Sequence, residues 1–314
     1  MVTTLKDLIF TTIMNSIIGL CVFLYGINLL TNSLERITEK KFEHIIYTYT
    51  NTTFKCFLIG VILTAITSSS TAVTAITLSF ISSKHLTFKK GLIIVVASNI
   101  GTSFSSLLFS FDFSLFVPFL LLLATIIYMF YHSNKNKVIT SIIYGLGYLF
   151  FGLNYLVKNL EILLRQESFS TLLNNLNVSS FSFFIIGIIV TALIQSSSAG
   201  IGMIQKLSNS NVIILKSSIA FMLGANIGTT FTGCVASFVG TKDAKKVAFI
   251  NFLFNFIGSI IFMVLISQYE RCICILGKAL NLTNAAMVSL SHIIYNITTV
   301  LIFLFFLTIN KKRT

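Results

Sequence analysis

A duplicated segment rich in serine, threonine, asparagine and glycine constrains the fold of this chain more than any other feature. Residues 187–233 begin G-I-I-V-T-A-L-I-Q-S-S-S-A and end near G-A-N-I-G-T-T. Residues 60–106, which lie 127 positions earlier, begin G-V-I-L-T-A-I-T-S-S-S-T-A and end near A-S-N-I-G-T-S. The two segments share 14 identities over 47 positions without a gap. Polar letters that match at one fixed offset in apolar sequence indicate an internal repeat.

The composition predicts an all-α integral membrane protein. Of the 314 residues, 55% are hydrophobic and 10% charged, and the mean hydropathy is +0.92, far from the average soluble chain. Helices are the default spanning structure because the bilayer core offers no water to free backbone groups. Nine runs carry little or no charge: Leu8–Leu30, Cys56–Ser83, Gly91–Ser110, Ser114–Tyr131, Val138–Val157, Ser168–Gln205, Ser217–Gly240, Val247–Gln268 and Ala279–Asn310. All are long enough to be spanning candidates, so whether the two serine-rich runs cross has to be decided separately. The first run directly follows Lys6 and Asp7 without a signal-peptide pattern, so we expect it to remain.

The charged residues and cysteines exclude other classes. The net charge of +13 comes from Lys and Arg in short loops between apolar runs, where such residues set membrane topology and do not indicate nucleic-acid binding. The five cysteines form neither a disulfide framework nor a metal-ligand set. We therefore expect no nucleic-acid partner, no structural metal and no enzyme activity.

The serine-rich segments are predicted to enter the membrane and return. Residues 53–66 would form only about 21 Å of helix, which is too short for a hydrocarbon core of about 30 Å, before the hydroxyl run 67–71 begins. If both segments are re-entrant hairpins, 15 Lys and Arg residues fall on one side of the membrane and 7 on the other. If both cross, the split is 12 against 10, so the positive-inside rule favours the hairpins. The predicted N-terminus is outside and the C-terminus inside.

The repeats are predicted to be inverted. A shift of 126 also aligns Gly19, Gly26 and Asn28 with Gly145, Gly152 and Asn154. We place repeat 1 at residues 8–131, repeat 2 at 138–268 and an additional C-terminal spanning helix at 279–310, within one transporter domain of residues 1–314. Each repeat then crosses an odd number of times, so the copies face opposite directions. Inverted repeats with broken helices at the midplane are typical of secondary transporters.

The candidate binding residues lie in the two copies of the motif. The hairpin tips place hydroxyls and helix N-termini where an anion could bind, and the N-I-G-T segments were expected to unwind and direct carbonyls at a cation. None of the nine acidic residues lies in either motif, which favours sodium over a proton as the coupling ion. The alternative is that small residues only permit close helix packing. The candidate residues are Ser69, Ser70, Thr71, Asn99, Thr102, Gln195, Ser196, Ser197, Ser198, Asn226, Thr229 and Thr230, with sodium sites among Ser70, Thr71, Asn99, Ser197, Ser198 and Asn226.

These motifs resemble the type II sodium/phosphate cotransporter family, whose bacterial members carry Q-S-S-S-A or Q-S-S-T-A in both halves. The family's A-x-x-H-x-x-F-N pattern is similar to residues 248–255, with Asn251 at the His position, and to residues 289–296, with His292 there. The resemblance covers residues 18–306. It implies sodium-driven uptake of inorganic phosphate, with Gln195, residues 196–198 and residues 69–71 at the phosphate and sodium sites.

The chain departs from the family pattern at Ser68, which stands where the first Gln would be. Many bacterial relatives continue into a PhoU-like domain, whereas this chain stops at Thr314, so regulation within the chain is not expected. The leading hypothesis is a sodium-coupled phosphate symporter in the plasma membrane that works by alternating access, with no cofactor besides the coupling ion. Transport of another small anion, and a non-transporting sensor or scaffold of the same fold, stay open, as does the oligomeric state.

Overall fold

The described part of the chain is helical throughout. The computed structural model describes residues 5–111, 113–130, 134–164, 166 and 179–311, so Tyr131, Arg165, Lys312 and Arg313 of the sequence predictions lie outside it. No strand occurs among the described residues. The helices are α1 (Leu5–Tyr49), α2 (Thr53–Thr67), α3 (Ser70–Ser82), α4 (Phe88–Phe109), a 3-10 turn (Ser114–Phe116), α5 (Val117–Phe130), α6 (Asn134–Leu164), α7 (Ser180–Ile194), α8 (Ser197–Asn209), α9 (Leu215–Ser237), α10 (Lys242–Val264), α11 (Ile266–Ala279) and α12 (Asn284–Lys311).

The long helices α1 and α6 cross in an antiparallel arrangement at glycines. Gly19 packs against the backbone of Leu156, and Gly145 packs in the same way against Leu30. These two contacts exchange when the 126-residue shift is applied, because Gly145 corresponds to Gly19 and Leu156 to Leu30. Antiparallel helices that exchange equivalent contacts are related by a two-fold axis perpendicular to them. The predicted inverted repeat is confirmed by this crossing.

The glycines at this crossing give a direct test of the packing. A Cβ at Gly152 would collide with the backbone of Phe23, whereas a Cβ at Gly147 on the same helix would meet only the side chain of Leu121. We expect Gly152→Ala to destabilise the protein by about 1 to 3 kcal/mol, the usual range for overpacking, and Gly147→Ala to have a smaller effect. The thermal unfolding midpoint in detergent measures both. Equal midpoints for the two variants would contradict the crossing described here.

Helices α2 and α3 form the first hairpin, hereafter hairpin 1. Its α2 arm runs parallel to α4: Gly60 packs on the carbonyl of Ile94, and Gly101 packs on Val61 and Ala65 farther along both helices. The α3 arm comes back, because the side chain of Ile81 lies against Gly91 near the start of α4. Both free ends of the hairpin are therefore at the same end of α4. Hairpin 1 is re-entrant, as predicted.

Hairpin 2, formed by α7 and α8, repeats this geometry. Its helices begin and end 127 residues after those of hairpin 1. Gly187 packs on the carbonyl of Phe221, and Gly228 packs on Ile188 and Ala192, each contact displaced by 127 residues from its counterpart. Two separate stretches of sequence therefore fold into the same unit, one in each half.

Seven crossings follow from the helix directions. Among the described residues, six helices are long and apolar enough to span a membrane: α1, α4, α6, α9, α10 and α12. Because α6 is antiparallel to α1 and both hairpins return, the shorter segment of residues 114–130 has to carry the chain back across after α4. This agrees with the predicted count of about seven and makes the chain a multi-pass membrane protein.

Three elements differ from the sequence expectation. Helix α1 has 45 residues and continues well past Leu30. The run predicted to span to Gln268 ends at Val264, and α11 follows as a separate amphipathic helix with Tyr269 and Ile273 buried. The N-I-G-T segments do not unwind, since α4 and α9 are continuous through Gly101 and Gly228. That expectation is wrong because these glycines serve as close contact points for α2 and α7.

The last helix, α12, is the structural counterpart of α10. Helix α10 packs on α9 and α3, and α12 packs on the equivalent helices α4 and α8. Residues 289–296 of α12 repeat the pattern of residues 248–255 of α10 with a shift of 41. By contrast, α5 packs mainly on α6. The helix we treated as an addition therefore occupies the position of a repeat element, while the exact repeat boundaries stay a prediction.

Candidate functional site

The tips of the two hairpins have the same backbone conformation. Ser68 and Gln195 both adopt left-handed angles, with φ of 56° and 60°. Their backbone N–H groups donate to the carbonyl oxygens of Thr64 and Thr191, each at 2.8 Å, and so end the first helix of each hairpin. Non-glycine residues rarely adopt this conformation, which costs of order 1 kcal/mol or more and is concentrated at functional sites. The equivalence of Ser68 and Gln195 predicted from the 127-residue shift is therefore present in the backbone.

The second arm of each hairpin begins with a serine cap. The Oγ of Ser69 accepts from the N–H of Ala72 at 3.1 Å, and the Oγ of Ser196 accepts from the N–H of Ala199 at 3.3 Å. Because each oxygen already acts as an acceptor, its own hydrogen can be donated to a bound anion. Each helix N-terminus adds a partial charge of about +0.5, so the two together supply about one positive charge.

Both N-termini face one cavity of about 330 Å³, which we call the anion cavity. The tips meet there, since the Thr71 hydroxyl lies 3.5 Å from the carbonyl oxygen of Gln195. Helix α1 forms the opposite wall. The lining residues are Leu24, Ile27, Asn28, Thr31, Asn32, residues 68–71, residues 193–198 and Thr229. None of them carries a charge, so an anion here would be held by dipoles, N–H groups and hydroxyls.

A second, much smaller cavity lies beside the first. Its volume is about 20 Å³, which is close to the space of one water-sized particle. We call it the cation cavity. It shares Ser70, Thr71, Ser197 and Thr229 with the anion cavity. The other lining residues are Thr74, Ser98, Asn99, Thr102, Asn226, Thr230, Thr232, Gly233 and Asn251.

Five hydroxyls of the cation cavity are oriented as acceptors. Ser98 donates to the Val95 carbonyl at 2.7 Å, and Thr230 donates to the Ile227 carbonyl at 2.6 Å. Thr102, Thr229 and Thr232 likewise donate to backbone carbonyls, at 3.1, 3.0 and 2.7 Å. Because each hydroxyl hydrogen is already engaged, the oxygen can offer only lone pairs to the cavity. A small space lined by neutral oxygens suits a hard monovalent cation.

The asparagines of the two N-I-G-T segments have different partners. The Asn99 amide nitrogen donates to the Oδ1 of Asn251 at 3.1 Å. The Oδ1 of Asn226 lies 3.1 Å from the Nε2 of His292, whose ring is fully buried. Asn251 and His292 are the residues that match the His of the A-x-x-H-x-x-F-N pattern. Each N-I-G-T asparagine is therefore fixed by the equivalent position of α10 or α12.

All twelve sequence-derived candidates line one of the two cavities. Asn28, Thr31 and Asn32 of α1 and Asn251 of α10 were not among the candidates. The match of Asn28 with Asn154 in the repeat could have indicated Asn28, since polar residues in spanning helices often face a cavity. The roles assigned to the individual candidates stay predictions.

Comparison with known proteins gives one family. A sequence model described as Na+/Pi-cotransporter matches residues 22–158 and 160–307. The uncharacterized protein YqeW of Bacillus subtilis (strain 168) is 27% identical over 282 residues, covering 90% of each chain. YjbB of Escherichia coli (strain K12), provisionally named an inorganic phosphate export protein, is 21% identical over 293 residues, which are 93% of this chain and 53% of YjbB.

A human protein matches over a shorter stretch. The human sodium-dependent phosphate transport protein 2B is 31% identical over 62 residues, or 20% of this chain and 9% of that protein. No solved structure matches the chain. The family match, by contrast, extends over nearly all of the described helices and contains both hairpins. This chain, with its inverted repeat and paired hairpin tips, belongs to the Na+/Pi-cotransporter family.

Proposed function

We propose that this protein is a symporter that couples the entry of sodium to the import of inorganic phosphate. The observation that carries the proposal is the division of hydrogen-bonding roles between adjacent cavities. The anion cavity contains two helix N-termini whose capping serines can donate, and five hydroxyls of the cation cavity already donate to backbone carbonyls, so their oxygens can only accept there. Because the cavities share residues 70, 71, 197 and 229, a cation in one would lower the energy of an anion in the other.

Phosphate fits the anion cavity better than a fully deprotonated anion does. Hydrogen phosphate carries one O–H group, which needs an acceptor as well as several donors. The Gln195 side chain offers both an amide NH₂ and a carbonyl oxygen, and it lies exposed at the cavity wall. Sulfate cannot donate a hydrogen bond, so it would gain nothing from that acceptor.

Alternating access is supported by an asymmetry between the repeats. The cavity wall contributed by α1 extends from Leu24 to Asn32, and no described residue of the equivalent helix α6 lines it. Instead, Asn154 of α6 donates to the Ser114 hydroxyl at 2.8 Å. Among the described residues, only α1 of these two equivalent helices therefore forms the wall. In the exchanged conformation, α6 would form the wall instead and the cavity would be exposed to the other side of the membrane.

The proposal is tested by phosphate uptake into liposomes that contain the purified protein. An inward sodium gradient should drive labelled phosphate in, while potassium at the same pH, or a proton gradient alone, should give only background. Excess sulfate should compete weakly. Equal uptake in sodium and potassium would contradict sodium coupling. Strong competition by sulfate would mean that the physiological anion is a different one.

A further inference from the structure

The inverted repeat places a geometric counterpart of the cation cavity beneath hairpin 2. Applying the 127-residue shift to the first-half positions, and the 41-residue shift to α10, gives its lining. Thr74 and Ser98 correspond to Ile201 and Ala225, and Asn251 corresponds to His292. The counterpart position lies between α8, α9, α4 and α12. This inference rests on the proposed function, since it concerns the ion that the cation cavity would hold.

Two of these replacements remove a possible cation ligand. Ile201 and Ala225 have no oxygen in their side chains, and both are fully buried where Thr74 and Ser98 present hydroxyls. At these two positions the counterpart lacks the oxygens that the cation cavity has. A hard cation would be left undercoordinated in such surroundings.

The His292 ring also fills the counterpart space. Its Nε2 lies 3.1 Å from the Oδ1 of Asn226, and its Nδ1 lies 3.0 Å from the Oγ of Ser106. Both ring nitrogens therefore have a hydrogen-bonding partner, and the Ser106 hydroxyl also donates to the Ser103 carbonyl at 2.8 Å. Asn251 is shorter than histidine, and its Oδ1 accepts from Asn99 and Asn255 while the cavity beside it stays open. The cation cavity and its counterpart therefore differ at the Asn251/His292 position, which determines whether an ion fits.

We infer that the pair of cation sites expected from the inverted repeat is reduced to one: sodium binds only beneath hairpin 1, and His292, Ile201 and Ala225 close the counterpart beneath hairpin 2. The protein therefore binds one sodium ion per chain at this pair of positions. Gln195 of hairpin 2 contributes the stronger anion contact, while the cation cavity lies beneath hairpin 1 and is lined by residues of both halves.

The test is equilibrium binding of radioactive sodium to the purified full-length protein in detergent, without phosphate. We expect wild type and His292→Asn each to saturate at one sodium per chain. Asn251→His should bind none, because the ring would fill the open cavity. The double variant Thr74→Ile with Ser98→Ala gives a second test should Asn251→His fail to fold. It installs the residues of the second half and should also lose sodium binding.

The outcomes separate this inference from the proposed function. Two saturable sodium ions in the wild type, with one lost in His292→Asn and one in Asn251→His, would overturn the single site and leave sodium coupling intact. Sodium binding that survives both in Asn251→His and in the Thr74→Ile, Ser98→Ala double variant would also overturn it. Absence of saturable sodium binding in the wild type would overturn the proposed function together with this inference.

Discussion

Replacing Gln195 by alanine is expected to raise the phosphate concentration for half-maximal uptake roughly ten- to a hundredfold. The side chain lies at the wall of the anion cavity, next to the first turn of α8. A hydrogen bond to a charged group contributes about 1.5 to 3 kcal/mol, and each 1.4 kcal/mol corresponds to about a factor of ten in affinity. The measurement is the initial rate of sodium-driven uptake over a range of phosphate concentrations.

Ser68→Ala is the matched control for this prediction. Ser68 has the same left-handed backbone as Gln195 and lines the same cavity, so the cost of placing alanine there is comparable and cancels. Its short hydroxyl reaches less far than the Gln195 amide, and a bond to a neutral neighbour would contribute about 1 kcal/mol. We expect only a few-fold loss of apparent affinity. A larger loss for Ser68→Ala than for Gln195→Ala would assign the main phosphate contact to hairpin 1.

Replacing Thr102 by valine is expected to raise the sodium concentration for half-maximal uptake by a similar factor. Valine keeps the shape of threonine but removes the oxygen that faces the cation cavity, and Thr102 is only 3% exposed, so water cannot easily replace it. Losing one contact to a charged partner costs about 1.5 to 3 kcal/mol, or roughly ten- to a hundredfold. Sodium titrations of phosphate uptake at fixed total salt measure the change.

Thr77→Val controls for the loss of a buried hydroxyl. Thr77 is fully buried and donates to the Val73 carbonyl at 2.7 Å, in the same pattern as Thr102, but it does not line the cavity. Its removal should leave the sodium requirement unchanged. If both variants raise the requirement equally, the effect of Thr102→Val is a general packing effect and the cation cavity has been placed wrongly.

The hairpins could be predicted from sequence because length, polarity and the distribution of Lys and Arg favoured one solution. A 15-residue apolar helix cannot cross the bilayer, and the hydroxyls after Thr67 need a position at which the helix is interrupted. The repeat then required the same break at Gln195. Those constraints are local or follow directly from the shift, so no tertiary information was needed to derive them.

The role of the N-I-G-T glycines could not be predicted in this way. Glycine in a spanning helix is compatible both with unwinding and with close packing, and the choice depends on the neighbouring helix. In this chain a Cβ at Gly101 would lie 2.5 Å from the carbonyl oxygen of Val61 and 2.6 Å from the Cβ of Thr64. The contact with α2 therefore decides in favour of packing. The cation ligands are side-chain oxygens of intact helices, where we had expected unwound carbonyls.

The helices that α12 packs against also could not be predicted from the sequence. Residues 248–255 and 289–296 share a pattern, but a pattern in two helices does not say which helices they pack against. In the structure, α12 packs on α4 and α8. These contacts place Asn251 and His292 at equivalent positions of two different sites.

The central claim is that the anion and cation cavities are energetically coupled, and reciprocal binding measurements test it most directly. On purified protein, the affinity for phosphate is measured with and without saturating sodium, and the affinity for sodium with and without saturating phosphate. Linkage requires that each ligand change the other's affinity by the same factor. We predict that both affinities increase by this common factor when the other ligand is present. Affinities that stay unchanged by the partner ligand would contradict the account.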